Sequence, residues 1–486
     1  MIAVLLILVP LMSGLALFAI KNEASAKNFA LFASIAVLVV SLLGLTVMNT
    51  PAYLNCNVPW ITPLNSNFHV GLDGMGQLLC LLTAISFPLI FVSTWGNSYK
   101  DANRFYALML LSQAGLMGVF LAMDALLFYF FWELALIPVY FLSSTWGGEK
   151  RIAATFKFFV YTFVGSLIML VGLIYIYFQA NQSFDLHTWY DLKLNAATQN
   201  WLFWLLFVAF AIKMPIWPFH TWQPDAYEQS PTAVTMVLSG IMVKMGVFAV
   251  IRWLAPVLPD GFWLWGDTVS LLCLIGMIYA SLIAIKQDDV KRLIAYSSIA
   301  HIGLMCLAIF ASNKSGMQGV MMQMFSHGVN IIGLWIVANA IETKYGTRKL
   351  SELGGLAQKD PALAILLVIV ALANIALPLT NGFVGEFMMF NGVFSSGVTK
   401  YGVLDTAVAG ICIILAAVYT LNMIKKIFYG NSNALTQSGS PTSFPVLVSL
   451  AVIVVLIFIT GVYPKPMLQL TSGTVDAILK YMKTSI

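Results

Sequence analysis

Apolar runs of about twenty residues recur from one end of the chain to the other, each closed by a charged cluster or a Gly/Pro-rich break. A helix of that length crosses a hydrocarbon core of about 30 Å at about 1.5 Å of rise per residue. The pattern predicts fourteen transmembrane helices, near residues 2–20, 28–48, 72–94, 104–122, 124–145, 155–179, 200–224, 231–253, 267–285, 290–311, 317–342, 361–395, 404–427 and 443–463. The expected fold class is all-α, that of a polytopic membrane protein.

Two of these helices are interrupted. The seventh carries Pro215 and Pro218 just after Lys213, and the twelfth carries Pro378, Gly382 and Gly385 just before Glu386. A proline removes a backbone hydrogen bond and clashes with the preceding turn. In a membrane such breaks are tolerated where the freed groups face protein or a polar cavity. A simple proline kink accounts for either break taken alone. The two lie five helices apart, however, and five is odd, so helices 4–8 and 9–13 would form inverted units. Paired broken helices in inverted repeats point to an ion or substrate path near the midplane. The expected division is 1–103 for the first three helices, 104–253 and 254–427 for the two five-helix repeats, and 428–486 for the last helix and a short tail.

Composition agrees. Of 486 residues, 60% are hydrophobic and 9% charged, against about 25% charged in a soluble domain. A soluble enzyme, a nucleic-acid binder and a disordered scaffold are excluded. The five cysteines and five histidines show no CxxC, HxxxH or HExxH spacing, so no metal or Fe–S site is expected on this chain. No glycine pattern for nucleotide binding follows a strand. Residues 1–20 lack a basic leader region, so a retained first span is expected rather than a signal peptide. Sixteen Lys and Arg residues fall in the odd-numbered connections and seven in the even-numbered ones and the tail. That bias predicts odd connections in the cytoplasm and both termini outside.

The remaining two basic residues, Lys213 and Lys244, fall inside helices. A charge at mid-bilayer costs roughly 2.5–3.5 kcal/mol on insertion scales, so each needs a reason. Glu133 lies nine residues past Asp124, hence mid-membrane, and His327 lies ten residues into the eleventh helix. With Glu386, these five groups span both repeats, and two of them sit at breaks. A static ion pair would account for Glu133 and Lys213 alone; the full set predicts a proton relay. A carboxylate at about 4 Å would shift the lysine by about 4 kcal/mol at an effective dielectric near 20, enough to switch it between holding and releasing a proton. His301 fits a relay extension and a satisfied core histidine equally. His220 belongs to the folded segment after the break, and Asp225 and Glu228 either shape an entrance or sit at the interface. Lys157 reads as a snorkelling helix-end residue, and Lys286, Asp288, Asp289, Lys291 and Arg292 as a solvated loop.

The segments FWELALIP (131–138), KMPIWPFHTWQPDAYEQSP (213–231), VKMG (243–246), KRLIAYSSIAHIG (291–303), FSHG (325–328) and NGFVGEF (381–387) resemble the antiporter-like subunits of respiratory complex I. The resemblance implies the fourteen-helix inverted-repeat fold and proton transfer by the acid, lysines and ionisable groups that fall here on Glu133, Lys213, Lys244, His327 and Glu386. L-type and N-type subunits, like the related cation/proton antiporter subunits, resemble one another in a lysine at the twelfth-helix position. Glu386 is instead similar to the M-type (chain 4) pattern, and the short tail after helix 14 leaves no room for the lateral helix of the L-type. The implied function is a proton-pumping module of an NADH:quinone oxidoreductase, with neighbouring membrane-arm subunits and lipid as partners and no nucleic acid. NADH, FMN, Fe–S clusters and quinone are implied on the whole complex and no cofactor on this chain. A bacterial inner membrane is the expected location, and a cation/proton antiporter or membrane-bound hydrogenase module is the alternative.

Overall fold

The computed structural model describes residues 1–47, 51–437 and 439–483. The chain begins with α1 (Ile2–Leu17) and α2 (Glu23–Thr46), then pairs β1 (Asn55–Ile61) with β2 (Ser66–Gly71). There follow α3 (Gly74–Ser93), α4 (Ala102–Leu121), α5 (Ala125–Trp146), α6 (Arg151–Gln179), α7 (Ala196–Lys213), α8 (Trp222–Gln229) and α9 (Thr232–Leu254). The second half comprises α10 (Pro259–Lys286), α11 (Val290–Phe310), α12 (Lys314–Tyr345), α13 (Pro361–Asn374), α14 (Asn381–Phe394), α15 (Gly402–Phe428), α16 (Phe444–Val462) and α17 (Lys465–Lys483). Among the described residues, twelve helices are long and apolar enough to cross a membrane. The predicted first segment is shorter, and the predicted twelfth is two helices, α13 and α14.

Both expected breaks are present. The seventh segment stops at Lys213 and resumes as α8 at Trp222, which corrects a span predicted to run on to residue 224. In the twelfth, α13 ends at Asn374 and α14 starts at Asn381, with Ala376 and Leu379 at positive φ between them. Two of the helices that carry internal ionisable groups are fully enclosed: the whole apolar stretch of α9, with Lys244, and of α12, with His327, is buried. Protein surrounds these stretches, and Lys244 and His327 are buried within it.

Three features depart from the sequence reading. The second connection, whose residues 48–50 lie outside the described part, contains an antiparallel hairpin that turns at Asn65 in the left-handed conformation. Asparagine tolerates that conformation better than most residues. The tail is not a loose end but α17, whose Val475, Ile478 and Met482 are buried on the bundle while Asp476 faces out to Lys314 at 2.7 Å. Gly74 allows this crossing, because a Cβ there would lie 1.9 Å from the Leu470 carbonyl oxygen. Arg252 is not a loop charge. It sits in the last turn of α9, buried against the Phe248 ring and paired with Asp73 at 2.7 Å. The hairpin is tied to the same end of the bundle: Asp124 caps α5 while accepting from Ser66 and the Asn67 amide, and His69 bonds Asp185 at 3.0 Å. Burial pushes the Asp185 carboxyl up, but the His69 and Thr188 hydrogen bonds outweigh it and leave it below its ordinary range.

Close packing at α4 and α5 sets the position of Glu133. A Cβ on Gly115 would lie 2.4 Å from the Ala135 nitrogen and 2.6 Å from its Cα, so only glycine lets these backbones meet. Gly115→Val is expected to lower stability by about 1–3 kcal/mol, because backbone cannot yield as a side chain does. The check is thermal unfolding of the solubilised protein; an unchanged midpoint would show that α5 has freedom to move which this packing denies it.

Candidate functional site

The first half of the site forms where α7 stops. Ile216 donates its amide to the Ala211 carbonyl and the Trp222 indole donates to the Ile212 carbonyl at 3.0 Å, which satisfies backbone groups that the prolines disturb. Lys213, the last residue of α7, is buried with its Nζ 5.4 Å from the centre of the Trp132 ring. An aromatic face attracts an ammonium group by its quadrupole. Trp132 is in turn held by a bond to Ser166 at 3.2 Å. Glu133 is next to Trp132 on α5, yet its Oε1 and the Lys213 Nζ have no hydrogen-bond partner among the described residues. No hydrogen-bonded pair is formed between them; the lysine lies beside the Trp132 ring instead.

The second half is a connected row. The wide π-helical turn Leu238–Met242 precedes Lys244 in α9, and the Ser239 carbonyl accepts from Lys244 Nζ at 2.7 Å. The same nitrogen lies 2.9 Å from His327 Nδ1 on α12. The His327 and His301 rings are 5.5 Å apart, and His301 Nδ1 on α11 lies 3.1 Å from Glu386 Oε1 on α14. Gln323 donates to that carboxylate at 3.3 Å, and Asn374 Nδ2 lies 3.4 Å from His301 Nε2. The structure thus brings Lys244, His327, His301 and Glu386 together, with His301 as the link that the sequence left open.

The two halves meet at Gly246. A Cβ there would lie 2.7 Å from the Phe210 carbonyl and 2.9 Å from the Met214 nitrogen, so α9 presses directly on the break beside Lys213. Within the bundle, Gln223, Tyr227, Gln323, Asn330 and Asn381 each bury a polar atom with no partner among the described residues. Buried groups of that kind usually hold ordered water. His220 lies outside the row; it is buried with its ring against Tyr279 at 5.2 Å.

At the end of the bundle carrying the odd-numbered connections, Asp225 and Glu228 of α8 are the centre of an ion-pair lattice. Asp225 pairs with Lys157 at 2.8 Å and with Arg292 at 3.2 Å, and Glu228 with Arg292 at 2.8 Å and Arg348 at 2.6 Å. Arg348 also engages Asp289, and Lys291 pairs with Glu342 at 2.6 Å. This corrects two expectations. Lys157 is a paired residue rather than a snorkelling one, and the 286–292 loop is locked rather than merely solvated, because α8 brings two carboxylates beneath it. Burial pushes the Asp289 carboxyl above its ordinary range, against the pull of Arg348. Cavities of about 310 and 710 Å³ open on either side of the lattice, sharing Glu228 and Arg292 in their walls.

The neutral residues Trp132, Gln323 and Asn374 were not anticipated. Their one signal is a lone polar or ring nitrogen within an apolar helix, which is too common to single out a site.

A helical bundle with two broken helices and a buried row of lysine, histidine and glutamate defines a polytopic membrane protein with a charged interior axis. Residues 122–413 match the NADH:quinone oxidoreductase/Mrp antiporter transmembrane family, and the chain belongs to that family. It is 37% identical over 423 residues to NADH-quinone oxidoreductase subunit M of Rickettsia conorii, covering 86% of this chain and 85% of that one. It is 35% identical over 503 residues to F(420)H(2) dehydrogenase subunit M of Methanosarcina mazei, covering 98% of each. Among solved structures, respiratory complex I from Thermus thermophilus with bound NADH superposes with a TM-score of 0.91 at 27% identity, over 99% of this chain and 100% of that one.

Proposed function

We propose that this chain is a proton-translocating membrane-arm subunit of an NADH:quinone oxidoreductase, in which electron transfer on other subunits drives charge displacement along Glu133, Lys213, Lys244, His327, His301 and Glu386. The observation that carries the reading is the row from Lys244 to Glu386, whose contacts of 2.9 and 3.1 Å flank two imidazoles tilted by 53° with their centres 5.5 Å apart. Imidazole both takes and gives protons near neutral pH, and lysine and glutamate change state when a neighbouring charge moves. The location of Lys213 at one break and Glu386 beside the other supports two inverted repeats, each with its own ionisable groups. The Lys/Arg bias supports a cytoplasmic position for the ion-pair lattice and an outer one for the hairpin and α17. NADH, flavin, Fe–S clusters and quinone belong to partner subunits in this reading.

The relative that covers 98% of both chains is named an F(420)H(2) dehydrogenase subunit, and this favours a second reading with a different electron donor on the same pump. The experiment is to tag the chain, extract it gently and assay the assembly that travels with it. NADH:quinone reductase activity together with flavin and Fe–S signals is expected. A large assembly that oxidises another donor instead would shift the assignment to the second reading, and sodium-dependent transport with no redox partner would sink both.

A further inference from the structure

His301 has a side branch that the row from Lys244 to Glu386 does not use. Asn374 Nδ2 lies 3.4 Å from His301 Nε2 and donates at 3.4 Å to Ser297 Oγ, and the Tyr419 hydroxyl donates to Ser297 Oγ at 3.1 Å. Ser297 is one helical turn before His301 on α11, toward the lattice end, and Tyr419 is on α15. All these side chains are buried. Beside them is a small cavity walled by His301, Glu386, Tyr419 and Cys412 together with apolar side chains. About 20 Å³ of it is open to water, room for about one molecule.

We propose that Tyr419, Ser297 and this cavity form a proton inlet that reloads His301 from the lattice end, independently of Lys213. The proposal rests on the pumping role argued above. An amide nitrogen has no lone pair to accept with, so Asn374 facing Nε2 makes that atom the acceptor and leaves the imidazole proton on Nδ1, toward Glu386. A proton reaching Nε2 from a hydroxyl or cavity water converts His301 to imidazolium. The Nδ1 proton then passes to Glu386 Oε1, and the histidine is left neutral with its proton on the other nitrogen. One proton enters and one leaves, with no other bond changed. Tyr419 and Ser297 act because a hydroxyl donates and accepts at once; Asn374 is a positioning residue whose long 3.4 Å contact keeps Nε2 unprotonated until a hydroxyl or cavity water displaces it. The titratable groups facing His301 are Glu386 from α14, His327 from α12, and Tyr419 and Cys412 from α15. A dead-end polar cluster that only braces α11 against α15 would need neither the cavity nor the orientation of the imidazole.

The test uses the assembled complex in membrane vesicles, with pumping and turnover read per assembled complex across pH. Ser297→Ala and Tyr419→Phe are each expected to slow turnover about ten-fold near about pH 8 and much less near about pH 6, where protons are plentiful. Ser297→Thr, which keeps the hydroxyl, is expected to restore the profile. Tyr419→Phe loses a single oxygen, so it decides the matter if the serine variant does not assemble. A loss that is equal at both pH values, or no loss in either variant while Glu386→Gln stops pumping, overturns the inlet and leaves the pumping role standing. Pumping that survives Glu386→Gln overturns the pumping role and the inlet with it.

Discussion

Lys213→Met is expected to stop proton translocation while leaving the protein as stable as before, or more so. The ammonium is buried at the end of α7 beside the Trp132 ring, with no hydrogen-bond partner among the described residues. A buried ion without a close counter-charge costs several kcal/mol, and an apolar residue of similar length removes that cost. A position kept at such expense serves function rather than packing. Loss of a positioned proton carrier lowers rates by about a hundred- to ten-thousand-fold, so pumping coupled to turnover should fall to background in vesicles. The thermal midpoint of the solubilised assembly should hold or rise. Normal pumping from a stabilised Lys213→Met protein would mean that the lysine is a packing residue after all, and that the ring contact is its whole role.

Glu386→Gln gives the second large effect, at the opposite end of the row. The glutamine preserves the size of the side chain and a carbonyl oxygen for His301 Nδ1 and Gln323 Nε2, which now bond Glu386 at 3.1 and 3.3 Å. It cannot take up the proton that the imidazole releases. Packing should therefore survive while turnover coupled to pumping falls by about a hundred-fold or more. His301→Phe should match it, since the ring is the sole side-chain link here between His327 and Glu386 among the described contacts. Two variants with very different losses would break the serial order of the row, because steps in series share one rate limit. Measurement of both proton release and electron transfer separates a blocked relay from a disassembled complex: a blocked relay slows the two together.

The apolar runs and their breaks were legible from the chain alone for a simple reason. Lipid allows no unsatisfied backbone, so helix length and a proline or glycine within it carry unusually direct meaning. For the same reason Lys213, Lys244, His327 and Glu386 stood out, since an ionisable residue deep in an apolar run is costly. Outside the bilayer that rule lapses. The hairpin at Asn55–Gly71 pairs a short, largely exposed strand with a short, partly buried one, and α17 follows the last span as an amphipathic stretch that lies across the bundle end. Neither has the long apolar signature that made the rest readable.

Sequence determined which helices exist, where they break and which charges lie within them, because each of those depends on neighbours along the chain. Tertiary structure alone decided who touches whom. It set Lys213 against the Trp132 ring, joined His327 to Glu386 through His301, and brought Asp225 and Glu228 under Arg292 and Arg348. Each of these contacts spans tens of residues or more, and each depends on how side chains from separate helices interlock. Periodicity within one helix carries no information about that choice.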